Sequence, residues 1–450
     1  MRAILLRNKI PASEEVKNLA GEPVRNSYED FGRILDHCDQ FPVRRLTEWR
    51  KEKKNNPKIF RVLEKADILL VELSFYITWQ EAVDDWLNYS RAKGRRSEQK
   101  IIVYTGAIDR WLKHLGACEI EKLKNEDAVK KQINSSSQTI KRTFDVMQKV
   151  DIIGAMNDLD VPFWKGLFPQ ATVYWMPCIV PVKAYKKRFK DLDHRDQGRF
   201  NLCVHSDLLL PAHARRGDIM SFAVYRNLKK KFSGIRGVTF LQRGHKKVLK
   251  PTAGLIQKLG CKDLKIATHQ RDWAEIASKG WIGLNMMCTR VQGRWQTFHA
   301  AAGVPMIASD EISAQRVLFP DLALSWSDLM GAETVATRLM EDQPFYERCI
   351  EIAQKRVDWF GPRTQKKRLM KVLNGENPDE MTQENQPDGS VLVRNAMGEE
   401  ISMMRPMDPA DFPEEQLREA VKEWGIEGAD EMGKDELVEN VKERLEGKAG

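Results

Sequence analysis

The chain has 450 residues, 42% of them hydrophobic, and a formal net charge of +9. That length suggests two or three domains with enough apolar material for their cores, and no run approaches the roughly 18 apolar residues of a membrane helix. Seven cysteines, odd in number and without a Cys-x-x-Cys pair, read as free thiols in a reducing cytoplasm, which argues against a disulfide framework or a zinc site.

The start, MRAILLRNKIPAS, lacks a long apolar core and a small-residue cleavage site, so it reads as a first strand. Short apolar runs follow at Ile68 to Leu73, Ile101 to Tyr104, Val150 to Gly154 and Thr172 to Trp175. Helical patterns lie between them at Tyr28 to Cys38, Thr78 to Ala92 and Ser137 to Met147. This alternation predicts a parallel sheet covered on both faces, an α/β domain over residues 1–182. Ala184 to Asp196, AYKKRFKDLDHRD, shows no apolar face and reads as an exposed crossing. A second α/β domain is expected over 199–373. Its strands fall at Phe200 to His205, Val238 to Gln242 and Leu264 to Ala267, with a helix from Ile219 to Phe232.

The stretch Lys279 to Asp310 orders this second half. Trp281 to Leu284 reads as a buried strand, Gly293-Arg294 as a turn and Trp295 to Ala302 as a helix that Gly303 can end. Val304, Met306, Ile307 and Ala308 form the next strand, completing the crossover unit of a parallel sheet. Ligands of such sheets bind beyond the carboxyl ends of the strands, which here carry Asn285, Arg290, Arg294 and Ser309. A basic loop opening a helix suits a phosphate; solvated arginines are the plainer alternative.

Residues 374–411 lose all periodicity and read as a linker, with room for a small hairpin at Ser390 to Val393. Residues 412–446 read as two helices around a turn: Leu417, Val421 and Trp424 share a face, and Leu437, Val441 and Leu445 face back.

Gly293-Arg294, then Phe298-His299-Ala300-Ala301-Ala302-Gly303, then Val304-Pro305-Met306-Ile307, resembles the C-terminal half of the GT-B glycosyltransferases. The resemblance extends loosely over residues 1–373, with 150–181 similar to the bridge between the halves of that fold. It implies an α/β architecture of two Rossmann-like domains facing a cleft, followed by the small two-helix module. It also implies sugar transfer from a nucleotide-diphosphate donor, a UDP-sugar in the first instance, without a metal. One departure stands out: the family glutamate that holds the donor ribose falls at Phe298, or at Thr297 when counted from the arginine. The terminal module resembles the SAP and helix-extension-helix modules, for which DNA tethering and protein contact are both open readings.

The resemblance assigns donor contacts to Arg215, Arg216, Arg243, His269, Gly293, Arg294 and Thr297, because guanidinium groups match the oxygens of a departing diphosphate. Each has a plainer alternative: a solvated Arg-Arg pair, an exposed basic run, a capped histidine. Asp158 and Asp160 follow a strand facing the expected cleft and are candidates for the general base, or else for a turn cap ahead of Pro162. The triplet Asp191-Leu192-Asp193 lies in a charge run and reads as solvated. Met286-Met287, Trp164, Trp175, Trp281 and Trp295 read as core. No P-loop, GxGxxG, HExxH or GxSxG occurs, so kinase and hydrolase readings lose support.

Residues 408–450 hold 14 acidic and 6 basic side chains, a net −8, which leaves +17 on the remainder. A body this basic favours a polyanionic partner. With the terminal module it points to DNA as acceptor, in the manner of phage-type enzymes that glycosylate hydroxymethylated pyrimidines, in which case the setting is a host cytoplasm. A glycan or protein acceptor, and a scaffold that has lost turnover with its ribose glutamate, are the alternatives.

Overall fold

The computed structural model describes residues 2–7, 35, 37–42, 44–51, 61–94, 98–106, 126–188, 198–203, 219–242, 254, 257–258, 263–267, 275, 277–378, 382–385, 391–394, 400–404, 409, 413–424, 426 and 428–445. The chain divides into two compact units, Met1–Pro378 and Asp379–Gly450.

Among the described residues the first unit contains two six-stranded sheets, parallel at every pairing. The N-terminal sheet runs β2 (His37–Pro42), β1 (Arg2–Arg7), β3 (Ile68–Glu72), β4 (Lys100–Tyr104), β5 (Ile152–Ala155), β6 (Thr172–Trp175). The C-terminal sheet runs β12 (Ala323–Leu324), β11 (Met306–Ser309), β10 (Ile282–Asn285), β7 (Arg199–Leu202), β8 (Arg236–Gln242), β9 (Asp263–Ala267). Chain direction across each sheet reverses once, between β1 and β3 and between β7 and β10. Those reversals open the crevices in which such sheets hold ligands.

Strand alternation builds the N-terminal core. Ile4, Leu6, Leu69, Val71, Ile101, Val103 and Ile153 face one side, where Trp49 of α1 (Arg44–Lys51), Leu63 of α2 (Arg61–Glu64), Trp86 of α3 (Leu73–Ala92), Val146 of α4 (Glu126–Met147) and Trp164 of α5 (Val161–Leu167) close over them. Their neighbours Leu5, Ile68, Leu70, Ile102, Tyr104 and Ile152 face the other side. Successive strand residues point to opposite faces, so a sheet buried on both sides needs unbroken apolar runs.

Beyond β6 the chain crosses through α6 (Val182–Arg188) into the second sheet, which is followed by α7 (Ile219–Lys231), α8 (Arg294–Ala302), α9 (Ser313–Leu318), α10 (Leu329–Glu341), α11 (Gln343–Arg356) and α12 (Pro362–Leu373). The last of these returns to the first sheet, where Leu369 and Val372 join the Leu5 and Leu70 side of its core. Arg368 is buried with them: its Nη2 donates to Trp175 O at 2.8 Å, and its guanidinium lies 4.4 Å from the ring centroid of Trp359. Delocalised charge over an aromatic face lowers the cost of that burial.

Four expectations change. The helix expected over Tyr28 to Cys38 lies largely outside the described residues, but Cys38 belongs to strand β2. That strand sits at the sheet edge, where backbone pairing to β1 substitutes for apolar alternation, and Pro42 at its end is tolerated there. The crossing at 184–196 begins inside α6, whose Val182 and Tyr185 are buried, so one turn of it does have an apolar face. Strand β7 ends at Leu202, so His205 falls among residues outside the description.

The fourth concerns the supposed linker. It carries a three-stranded antiparallel sheet, β13 (Thr382–Asn385), β14 (Val391–Arg394) and β15 (Glu400–Met404). In the same unit α13 (Glu414–Glu423) and α14 (Lys434–Leu445) pack Leu417, Val421, Ala429, Leu437 and Val441 together. Trp424, expected in that core, is partly exposed: the helix stops at Glu423, and Ile426, after the turn, packs there instead.

Candidate active site

Strand β10 is buried throughout, and Gly283 within it leaves space for a ring: a Cβ there would stand 2.9 Å from His299 on α8. His299 Nδ1 lies 2.8 Å from Trp295 O, and Nε2 lies 3.2 Å from Asn201 Nδ2. A carbonyl only accepts, so Nδ1 carries the proton and Nε2 accepts from the amide. Full burial pushes the imidazole pKa down to about 4, outweighing the bond to Trp295 that opposes the shift, and the nearby charge of Arg199 adds to the lowering. The histidine is therefore a neutral strut between β7, β10 and α8.

Past Asn285 the chain forms the loop that leads to Gly293 and Arg294. Met286 N donates to Ser221 Oγ at 2.9 Å, which ties the loop to α7. Gly293 then turns the chain into α8 with φ 92°, a left-handed conformation in which a side chain is strained. A Cβ there would also overlap Gln296 Oε1 and Ile312 Cγ2. Arg294 follows as the first helical residue, partly exposed, and Gly303 closes the helix in the left-handed region as expected. Around this loop Asn285 Oδ1, Thr289 Oγ1 and both amide atoms of Gln296 are buried without a hydrogen-bond partner among the described residues. Buried polar atoms are normally satisfied, so such a concentration marks a place where a ligand or water can bind.

Against this loop stands the carboxyl end of β5 from the other sheet. Asn157 Nδ2 donates to Val291 O at 3.0 Å and to Glu311 O at 2.9 Å, while its Oδ1 accepts from Leu159 N at 2.9 Å. Asp158 pairs with Arg316 Nη2. Asp160, fully buried, lies 3.8 Å from Arg290 Nη1, whose Nε donates to Glu311 Oε2 at 3.0 Å. From the segment that joins the two sheets, Cys178 N donates to Gln292 Oε1, and Gln292 Nε2 donates back to Cys178 O at 2.9 Å.

The structure thus brings Asp158, Asp160, Gly293 and Arg294 to one junction. Both carboxylates face arginines of the second sheet, and the cap of this turn is Asn157 rather than either aspartate. Thr297 is buried and its Oγ1 donates to Gly293 O at 3.3 Å, so a ribose contact from it needs a rotamer change. Phe298, one of the two positions considered for the family glutamate, packs edge-to-face on Tyr185 of α6, ring centroids 5.2 Å apart. Met286, Met287, Trp164 and Trp175 are core as expected, and Trp281 stacks on Tyr346 at 4.5 Å. Arg215, Arg216, Arg243, His269, Asp191 and Asp193 lie outside the described residues. Asn157, Gln292 and Arg316 were not singled out by sequence. Only Asn157, two residues beyond a strand and just ahead of Asp158, carried any signal, as a turn former.

Two doubly wound parallel sheets whose carboxyl ends meet at one junction constitute the GT-B fold, and solved structures similar to this chain share it. HepE (Alr3699) of Anabaena, solved with UDP, superposes with a TM-score of 0.54 at 10% identity, covering 83% of this chain and 100% of its own. Sucrose-phosphate synthase of Thermosynechococcus elongatus gives 0.55 at 12% identity, covering 83% and 99%. The α,α-trehalose 6-phosphate synthase of Burkholderia multivorans gives 0.52 at 12%, covering 83% and 96%. No family model matches the sequence, and no curated protein matches it.

Proposed function

We propose that the chain is a GT-B glycosyltransferase that moves a sugar from a nucleotide-diphosphate donor, a UDP-sugar in the first instance, to a hydroxyl acceptor. The observation that carries the proposal is the junction itself. A left-handed glycine opens α8 with Arg294 at its first position, beside the unpartnered polar groups of Asn285 and Thr289. The similar fold of HepE, crystallised with UDP and with UDP-glucose, supports the donor class.

In this reading the diphosphate sits over the amino end of α8, where backbone N–H groups and Arg294 meet the charge that grows as the sugar departs. Arg215, Arg216, Arg243 and His269 are proposed to complete the contacts, with Gly293 allowing the close approach. Asp158 is partly exposed and is the better placed of the two candidate bases, though it must leave Arg316 to take a proton. The acceptor we put forward is a hydroxymethylated pyrimidine in DNA, on the strength of the +17 carried by residues 1–407.

A second reading rests on Phe298. Its place in the Tyr185 contact removes the ribose carboxylate, which favours a scaffold without turnover. Calorimetric titration of UDP, followed by turnover of labelled UDP-glucose with and without hydroxymethylated DNA, separates the two. Sugar transfer predicts UDP binding that Arg294→Ala weakens about tenfold, equivalent to 1.4 kcal/mol. Absence of UDP binding by the wild-type chain would refute it.

A further inference from the structure

The loop after β10 is braced from two sides: within its own half Ser313 N donates to Val291 O at 3.1 Å and Ala314 N to Gln292 O at 2.8 Å, and a second set of contacts comes from outside its own sheet. Val291 O and Glu311 O both accept from Asn157 at the end of β5, and Arg290 reaches Asp160 of the same turn. Gln292 holds Cys178 by a reciprocal amide pair that mimics one rung of a strand ladder. Asn157 and Gln292 are buried and their side-chain amides bond to backbone, so neither is a mobile surface contact. Three consecutive loop residues, 290 to 292, are thus fixed by the N-terminal sheet and by the connecting segment, immediately before the left-handed Gly293 and Arg294.

From this we infer that Asn157 and Gln292 are positioning residues: the N-terminal half sets the shape of the loop that meets the donor diphosphate. The donor-facing part of this statement rests on the glycosyltransferase reading; the bracing of the loop does not. A consequence follows from linkage. If the N-terminal half moves when an acceptor binds, the loop moves with it, and acceptor and donor affinities change by the same factor.

The experiment uses the full chain in two arms. In the first, hydrogen exchange is compared between wild type and Asn157→Ala over the peptide containing residues 289–293, with strands β3 and β4 as internal reference. Removing the amide leaves Val291 O with Ser313 N alone and takes the Asn157 contact from Glu311 O, so exchange in 289–293 is expected to rise about tenfold while the reference strands stay within twofold. Equal acceleration everywhere, or none in the loop, overturns the proposal. Gln292→Glu is the second variant, and it also serves if Asn157→Ala does not fold. Its carboxylate keeps the contact to Cys178 N but opposes Cys178 O, and protonation restores a donor. Loop exchange should therefore be fast at pH 8 and return toward wild type at pH 5, measured against wild type at each pH and corrected for the intrinsic exchange rate. A loop indifferent to pH counts against the idea.

The second arm titrates UDP. Asn157→Ala should weaken it about tenfold with the melting profile of the reference strands retained, and unchanged affinity beside a loosened loop refutes the positioning role alone. If wild type itself binds no UDP, the glycosyltransferase reading fails while the first arm still decides the brace.

Discussion

The two sheets of the first unit have the same parallel architecture but very different interiors. The N-terminal sheet is packed by Ile, Leu, Val, Trp and Phe; of the buried polar side chains around it, Gln99, Thr105, Asn157 and Asp160 lie at strand ends and turns, and Ser90 and Thr143 lie in covering helices. The C-terminal sheet buries Asn201, Thr239, Asn285, Gln296, His299, Ser309 and Gln315 in or beside its strands. Some of these donate to backbone carbonyls. Gln315 Nε2 donates to Met306 O at 2.7 Å and to Leu322 O at 3.0 Å, and Thr239 Oγ1 to Leu202 O at 2.9 Å. Polar groups in a low-dielectric interior specify one arrangement at the cost of tolerance, because each one that loses its partner is left desolvated. The first sheet is therefore a support that should accept change, and the second a site that should not.

The largest test of that contrast is Gly280→Ala. A Cβ there would run into the side-chain amide of Asn201, with its Oδ1 only 2.8 Å away. Asn201 cannot swing aside freely, because its Nδ2 is held by Ala277 O at 3.1 Å and by His299 Nε2 at 3.2 Å. Overpacking together with a broken buried bond should destabilise the unit by about 2–4 kcal/mol. Denaturant unfolding monitored by tryptophan fluorescence would measure it, and a loss below about 1 kcal/mol would mean that the polar interior is as adaptable as the apolar one.

The pH dependence of stability comes next. His299 is neutral in the fold, with its pKa lowered from 6.5 to about 4. Between those values the unfolded chain binds a proton that the folded chain refuses. Stability is thus fully present above about pH 6.5, declines as pH falls toward 4 and levels off below that as far as this group is concerned. The whole step is on the order of 3 kcal/mol. Melting temperatures from pH 7.5 to 4.0 for wild type and His299→Gln should show a steep wild-type slope and a flatter one in the variant. Parallel slopes would indicate that the histidine is not held neutral.

The same contrast explains what could be read from the sequence. A sheet buried on both faces must be written as continuous apolar runs, so β1, β3, β4, β5 and β6 were legible, as were α8 with its closing Gly303 and the strand beyond. The junction was not. Asp158 meets Arg316 across 158 residues of chain, and Asn157 meets Glu311 across 154, and no local pattern encodes such pairs. Helix α12, PRTQKKRLMKVL, reads as a basic surface helix, yet Arg368 is buried because two tryptophans and a carbonyl from distant segments receive it. Tyr185 lay hidden in a charge run for a similar reason: an aromatic residue followed by eight lysines, arginines and aspartates over 186–196 shows its burial only once Phe298 is beside it.

The smallest effect comes from the tolerant half, at Gly166→Ala. Gly166 lies inside α5, and a Cβ there would meet no atom within 4 Å. The substitution adds no contact to the folded chain. It acts by narrowing the freedom of the unfolded one and by removing the entropic cost of a glycine in a helix. The expected gain is about 0.5 kcal/mol, read as a higher urea midpoint with unchanged m-value. Because α5 carries Trp164 against the apolar face and follows directly on the Asn157 turn, the sign of the change also reports on the site. A loss of stability would mean that the end of α5 needs backbone freedom to hold that turn, and the N-terminal half would then share the intolerance assigned here to its neighbour.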